Sequence, residues 1–109
     1  MTPAQARDMY RRQIDAHGQS VTFRRVNPAA SVTVKARVLG YKPDELGGGI
    51  LQGDRRIIVM AEDISFTDGL QPGDKAVVGG TLLNIIVVDD MTRRIGDTLI
   101  AYDLTARGG

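Results

Sequence analysis

GDKAVVGGTLLNIIVVDD, residues 73–90, is the stretch that decides the fold of this chain. Two apolar, β-branched runs flank Gly79-Gly80, and consecutive glycines suit the positive φ angles of a tight turn between antiparallel strands. The stretch therefore predicts a β-hairpin. Its second arm is apolar throughout residues 85–88, whereas a strand with one wet face alternates. We expect both faces of this arm to be covered, in part by another subunit.

Apolar and polar residues alternate in further segments on both sides of this hairpin, which predicts more strands. A first hairpin is expected around Asn27-Pro28. Residues 61–66 are expected to form a turn or crossover that places Ile64 and Phe66 at a barrel end. Gly96 is expected to mark a bulge. The predicted strands outside the central hairpin are 20–25, 31–39, 54–60 and 95–105. The fold class is thus all-β, a small six-stranded antiparallel β-barrel or sandwich.

The N-terminus has the signals of a short helix. Thr2 can cap it, Pro3 suits its first turn and Gln5 completes a capping box, while His17 and Gly18 are expected at its end. Its apolar stripe is narrow, so the helix either lies on its own barrel or is ordered by a neighbour. The whole chain, 1–109, is predicted to be a single domain, with the helix in 1–18 and the barrel in 19–107.

Composition excludes several classes of function. The chain has no cysteine and one histidine, His17, so thiolate zinc sites and multi-histidine sites cannot form. Three adjacent pairs of acids, at 44–45, 62–63 and 89–90, would point to opposite faces of a strand and so do not make a facing dyad. We therefore expect no enzymatic activity, no metal and no cofactor. The longest apolar run falls far short of the roughly 20 residues that span a membrane, and no secretory signal is evident, so a cytoplasmic protein is expected.

Charge is unevenly distributed along the chain. Residues 1–39 carry a net charge of +5, and residues 40–109 carry −4. The split is compatible with an ordinary solvated surface, or with a polarity that helps like subunits stack.

Residues 40–53 form a segment without a strand or helix pattern, and five of its fourteen residues are glycine. Long loops in small domains are usually functional or disordered. Tyr41, Leu46, Ile50 and Leu51 are apolar residues that an idle linker would not need. The segment either folds back on the barrel or orders against a partner.

The order of these features resembles a known family. The carrying motifs are VTFRR at 21–25, GYKP at 40–43, GDRRIIV at 53–59, GDKAVVGG at 73–80 and GDTLIAYDL at 96–104. Together they are similar to the small head completion or stopper proteins of tailed-phage necks, also called head–tail connector proteins.

The resemblance implies a β-barrel virion protein that forms a homo-oligomeric ring, hexameric or dodecameric, between the portal-adaptor and the tail proteins. Such a ring is assembled in the bacterial host cytoplasm, takes its place in the virion neck, and helps to retain DNA in its channel. The level within the neck stays open, because tail terminators are also small ring-forming proteins. The residues expected in the projecting loop that faces the partner or channel are Tyr41, Lys42, Asp44, Glu45, Leu46, Gly47, Gly48, Gly49, Ile50 and Leu51. The residues expected in subunit or adaptor contacts are Met9, Tyr10, Ile14, Ile58, Ile86 and Val88.

Two other functions are compatible with the residues. The first is a small-barrel nucleic-acid-binding protein with Arg24, Arg25, Lys35 and Arg37 on one face. The second is a structural adaptor in a bacterial assembly unrelated to phage. A nucleic-acid binder should lose affinity steeply as salt rises, whereas a neck component should not bind free DNA appreciably.

Overall fold

The computed structural model describes residues 1–26, 29–41, 44, 47, 53–66 and 68–108. These residues form one α-helix, a short 3₁₀ turn at Ala61–Asp63, and eight strands. The helix is α1, Pro3–His17. The strands are β1 Gln19–Arg25, β2 Ala30–Gly40, β3 Arg55–Met60, β4 Lys75–Val78, β5 Thr81–Asp89, β6 Arg94–Ile95, β7 Thr98–Leu99 and β8 Ala101–Gly108.

Six of the strands close into a barrel in the order β1-β2-β3-β8-β5-β4, and every neighbouring pair is antiparallel. The predicted small all-β barrel with an N-terminal helix is therefore confirmed. Strands β1, β3 and β5 run in one direction and the other three run in the opposite direction. We call the end at which β1 finishes the upper end, and the end at which β2 finishes the lower end.

The central hairpin forms as its sequence predicts. Gly79 and Gly80 have φ angles of 56° and 81°, so both occupy the left-handed region that other residues avoid. The turn joins β4 to β5 with Val78 opposite Thr81. Strand β5 contains one irregularity, because Ile85 lies opposite Ala106 and Val87 lies opposite Thr105, which leaves Ile86 as an extra residue.

The barrel interior is filled by alternate residues from each of the six strands. β1 contributes Val21 and Phe23, β3 contributes Ile57 and Val59, and the loop after β3 adds Phe66 at the upper end. Ile64 packs against this core as a partly buried residue, so the expected placement of Ile64 and Phe66 is confirmed. The predicted hairpin of the first two strands is also confirmed by the β1–β2 pairing; its turn residues Asn27-Pro28 lie outside the described residues.

Helix α1 begins with the predicted capping box, in which the Thr2 hydroxyl accepts from the Gln5 amide and the Gln5 side chain accepts from the Thr2 amide. The helix packs against β2 and β3 and buries Ala6 and Ile14. It ends at His17, as expected, but Gly18 is extended with a φ of −86° rather than left-handed. A Cβ at Gly18 would lie 2.4 Å from the carbonyl oxygen of Ile14, so glycine is required there by close approach.

The last predicted strand, 95–105, is wrong in its boundaries. Gly96 has a φ of 59° and makes the turn of a small separate hairpin, β6–β7, instead of a bulge. Ile100 lies between the strands, and the chain joins the barrel as β8 from Ala101. Two short strands and a longer one follow each other here with breaks of only two residues and one residue, so the alternation alone predicts one continuous strand.

Candidate interaction surfaces

Helix α1 is attached to the barrel by polar contacts at three places. Arg11 donates to both oxygens of Asp63, at 2.8 and 2.9 Å, and to Glu62 at 2.7 Å. These carboxylates, Asp63 first, raise the pKa of Arg11 above its ordinary value. Arg93 donates to the Tyr10 hydroxyl at 2.9 Å, and Lys35 donates to the backbone oxygen of Asp15 at 3.0 Å. The helix is therefore ordered by its own barrel.

One nearly buried carboxylate serves two arginines on the outside of β8. Asp103 accepts from Arg56 with both of its oxygens, at 3.0 and 2.6 Å, and from Arg93 at 3.2 Å. The Arg93 guanidinium also lies 5.4 Å from the centre of the Tyr10 ring. Charge-assisted bonds of this kind are directional as well as strong. They join the segment after β5 to β3, β8 and the helix.

Two Gly-Asp pairs open strands and place buried carboxylates at opposite ends of the barrel. Gly53 and Gly73 have φ angles of 94° and 97°, and the aspartate after each is buried. Asp54 accepts from Arg107 at 2.9 and 2.8 Å where β3 begins and β8 finishes. At the lower end this pair raises the pKa of Arg107.

The upper pair is part of a larger network. Arg25 donates to Asp74 at 3.0 and 2.8 Å, to Asp68, and to the backbone oxygen of Gly69 at 2.6 Å. It also lies over the Phe66 ring, 4.9 Å from the ring centre. The guanidinium holds the pKa of Asp68 below its ordinary value. Each of the three guanidinium nitrogens of Arg25 donates at least one of these bonds, so the residue joins the end of β1 to the segment before β4 at the upper end of the barrel.

Sequence reasoning missed these arginine–carboxylate pairs. Its view that Arg25 shares a face with Arg24 is wrong, because neighbouring residues of β1 point to opposite sides and Arg25 turns to Asp74. A signal was present: Gly-Asp stands directly before β3 and directly before β4. In both cases the aspartate is bonded to an arginine at or next to the end of a neighbouring antiparallel strand.

The outer face of β5 carries apolar side chains that the rest of the chain leaves uncovered. Leu82 and Val87 are 48% and 51% exposed, and Met91, just beyond the strand, is 71% exposed. Ile86 and Val88, expected in subunit contacts, are partly buried, and Val88 packs against the core. Exposed apolar residues grouped on one face are typical of interaction surfaces.

A different surface lies on three adjacent strands, β2, β1 and β4. These strands contain five basic residues and no acidic residue. Arg24, Lys35 and Arg37 alternate with inward-facing residues and therefore point outward, together with Lys75 of β4. Helix α1 packs on β2, however, so Lys35 is bonded to Asp15 of the helix and the Nε atom of Arg37 is buried. We call the outer face of these three strands the basic wall.

Other residues expected in contacts between subunits lie at or under the helix. Ile14 and Ile58 are buried within the chain, so this fold does not present them to a neighbour. Tyr10 is partly buried and bonded to Arg93, and Met9 is 36% exposed.

The expected loop is described at only a few positions. The hydroxyl groups of Tyr41 and Thr105 are hydrogen-bonded at 2.6 Å, which ties the start of the loop to β8. Asp44 and Gly47 are exposed. Lys42, Glu45, Leu46, Gly48, Gly49, Ile50 and Leu51 lie outside the described residues.

Within the described part of the chain, no group of three or more histidine or acidic residues is arranged to hold a metal ion. No helix there is long and apolar enough to cross a membrane. Comparison of the chain with protein-family models gives no match, and comparison with the sequences of curated proteins gives no significant match.

Proposed function

We propose that this chain is a ring-forming structural protein of a tailed-phage neck, a head completion or stopper protein that joins the portal-adaptor to the tail. The observation that carries the proposal is the position of the long loop. Strands β2 and β3 pair as far as Gly40 and Arg55, so the connecting segment leaves and re-enters the barrel at its lower end. A long connecting segment at one end of a closed barrel is what the resemblance implies for the projecting loop.

Two further features support a structural role. Exposed apolar side chains at the upper end of β5, Val87 and Met91 just beyond it, are available for contacts with other copies. The barrel interior is filled by apolar side chains, and the carboxylates buried at its ends are paired with arginines, so they are not free to act as acids or bases. In this proposal the loop narrows the channel by its bulk, because it has one base and two acids and is poorly suited to hold phosphates.

The test is removal of the coding gene from the genome that carries it, followed by electron microscopy of the particles produced. A neck protein gives tailless heads, free tails and loss of packaged DNA, and a plasmid copy of the gene restores intact particles. A complementing gene with residues 45–50 deleted should restore joining but not full DNA retention. Intact, DNA-filled, tailed particles in the absence of the gene would overturn the proposal.

A nucleic-acid-binding function is the second candidate, and the basic wall favours it. Arg24 is exposed and lies directly opposite Lys75 in the register of β1 and β4. Fluorescence anisotropy with a labelled single strand and a labelled duplex, at 50 and 200 mM salt, tests it. If the wall binds nucleic acid, affinity falls steeply between the two salt concentrations and Arg24→Glu weakens it. Arg12→Glu, at an exposed position on α1, is the matched control. Absence of binding at the lower salt concentration removes this candidate.

A further inference from the structure

Two surfaces at the upper end of the barrel differ in charge but both contain exposed apolar residues. The first, which we call the acidic surface, consists of Val87, Asp90, Met91 and Asp97. The second, which we call the basic surface, consists of Arg24, Val26, Ala29, Ala30 and Ser31. From them we propose that copies of this chain associate head-to-tail, with the acidic surface of one copy against the basic surface of the next. This inference rests on the proposed ring and names the contacts that build it.

The acidic surface is held in shape by bonds that leave its carboxylates free. Arg94 donates to the backbone oxygens of Asp90 and Asp97 and so brings these two residues together. The side chains of Asp90 and Asp97 are exposed and form no hydrogen bond or ion pair with a described residue. Val87 and Met91 supply the exposed apolar area beside them.

The basic surface lies at the turn between β1 and β2. Val26 is 74% exposed, and Ala29 and Ala30 are exposed as well. Arg24 points outward beside them and makes no hydrogen bond or ion pair with a described residue. Arg24, Ala29, Ala30 and Ser31 line a shallow cavity together with Arg25. The exposed Val26, Ala29 and Ala30 are suited to a methionine or valine side chain of a neighbouring copy, and Arg24 is suited to a carboxylate beside it.

The positions of the two surfaces allow one copy to contact two neighbours. Both lie at the upper end, because β5 finishes there and β2 begins there. In the six-stranded order, β5 is two strands away from β1 and three strands away from β2, so the two surfaces lie on different sides of the barrel. Each copy can therefore bind two neighbours at once, and head-to-tail contacts of this kind close into a ring when the rotation from one copy to the next closes. A two-fold dimer, in contrast, would place the same surface on both sides of the contact.

The test is the size of purified, full-length variants, measured by sedimentation velocity over a range of concentrations. Variant A carries Val87→Glu and Met91→Glu on the acidic surface, and variant B carries Arg24→Glu and Val26→Glu on the basic surface. We expect the wild-type chain to form rings, and each variant alone to associate at least about tenfold more weakly. All four positions are solvent-exposed, so circular dichroism should show that both variants stay folded.

The decisive sample is an equimolar mixture of the two variants. Head-to-tail association leaves one intact contact, between the basic surface of A and the acidic surface of B, so the mixture should give a one-to-one dimer and nothing larger. Leu82→Glu, on the same strand but at its lower end, is the matched control and should leave ring formation unchanged.

Each other result overturns the inference. A monomeric wild-type chain at every concentration does so, and so does a mixture of A and B in which no dimer forms. If only A fails to associate, the acidic surface pairs with itself, and if only B fails, the basic surface does. Rings whose size neither variant changes would refute these contacts while leaving the proposed neck function standing, since that is tested separately on particles.

Discussion

Strands β3 and β5 each contain four consecutive apolar residues, 57–60 and 85–88, yet they are buried in different ways. The inward residues of both fill the barrel. On the outside, Ile58 and Met60 of β3 are 7% and 0% exposed, because α1 packs on that side of the barrel. On β5 no described element covers Val87. Two equally apolar strands thus differ on their outer faces, since one lies under the chain's own helix and the other is exposed at Val87.

The two strands differ in whether the chain itself covers their outer faces. Ile58 was expected at a subunit contact because its strand is too apolar for a wet face, and the same argument applied to β5. For β3 the chain itself supplies the cover, because α1 packs against this strand. Of the two strands, β5 is therefore the one that keeps exposed apolar residues, Leu82 and Val87.

The largest expected effect comes from shortening one outward residue on each strand. Ile58→Ala should lower the free energy of unfolding by about 2–5 kcal/mol, because it opens a cavity between β3 and the helix. Leu82→Ala, measured in the same way by chemical denaturation at a concentration where the chain is monomeric, should cost about 0.5 kcal/mol or less. Equal costs at the two sites would mean that β5 is covered in the monomer and would remove the basis of the comparison.

A smaller effect is expected where the helix turns into β1. In Gly18→Ala the new Cβ would lie 2.4 Å from the Ile14 oxygen and 2.9 Å from the Ala36 oxygen, both backbone atoms. The helix must then move away from β2, which should cost about 1–3 kcal/mol. Gly40→Ala is the control, since a Cβ there meets nothing within 4 Å. The prediction fails if thermal unfolding of the two variants is indistinguishable.

The sequence patterns predict the helix, strands and turns, but they do not predict the long-range contacts that cover these elements. Alternation in β1 and β2, the Gly79-Gly80 turn and the capping box at Thr2 are local signals, and each produced the predicted element. The arginine–carboxylate pairs could not be read in this way. Arg25 and Asp74 are 49 positions apart, and Asp54 and Arg107 are 53 apart, so only the closed barrel brings them together.

The sequence also does not predict on which side of the barrel the helix lies. The narrow stripe of α1 was compatible with its own barrel or with a neighbour. Polar contacts outside the apolar stripe hold the helix on its own barrel. The main one is Arg11, which donates to Asp63 and Glu62 just after β3, about fifty positions along the chain. Tertiary contacts therefore decide that the helix covers β3 and not β5, and the hydrophobic periodicity of the sequence does not predict these contacts.

The contribution of these contacts is expected to be modest. Arg11→Ala removes three bonds, but the partners are partly exposed to solvent, so the loss should be about 1 kcal/mol. Arg12→Ala, at the next and exposed position, should have almost no effect. Hydrogen exchange gives the sharper readout: amides of α1 and β3 should lose protection in the Arg11 variant, while amides of β5 should not. Uniform loss across both strands would show that the helix does not protect β3 selectively.

The smallest expected effect is the loss of stability at acid pH that comes from Asp89, the last residue of β5. Asp89 accepts from the Thr92 hydroxyl at 2.6 Å and from the amides of Thr92 and Met91 at 3.0 and 2.9 Å. These bonds, the hydroxyl first, hold its pKa below the ordinary value. Because the folded pKa lies below the unfolded one, Asp89 stabilises the fold at pH values above about 4, and this contribution is lost as the pH falls through its folded pKa.

Asp89→Asn isolates that contribution. The variant should be less stable than the wild type at pH 7, by about 1 kcal/mol or less, and the difference should shrink as unfolding is measured at successively lower pH. Asp97→Asn, at an exposed carboxylate without a described bond, should show no such convergence. If the difference between wild type and Asp89→Asn stayed constant down to acid pH, the carboxylate charge would not support the turn. The segment that presents Met91 beside the open face of β5 would then be held by backbone and Arg94 contacts alone.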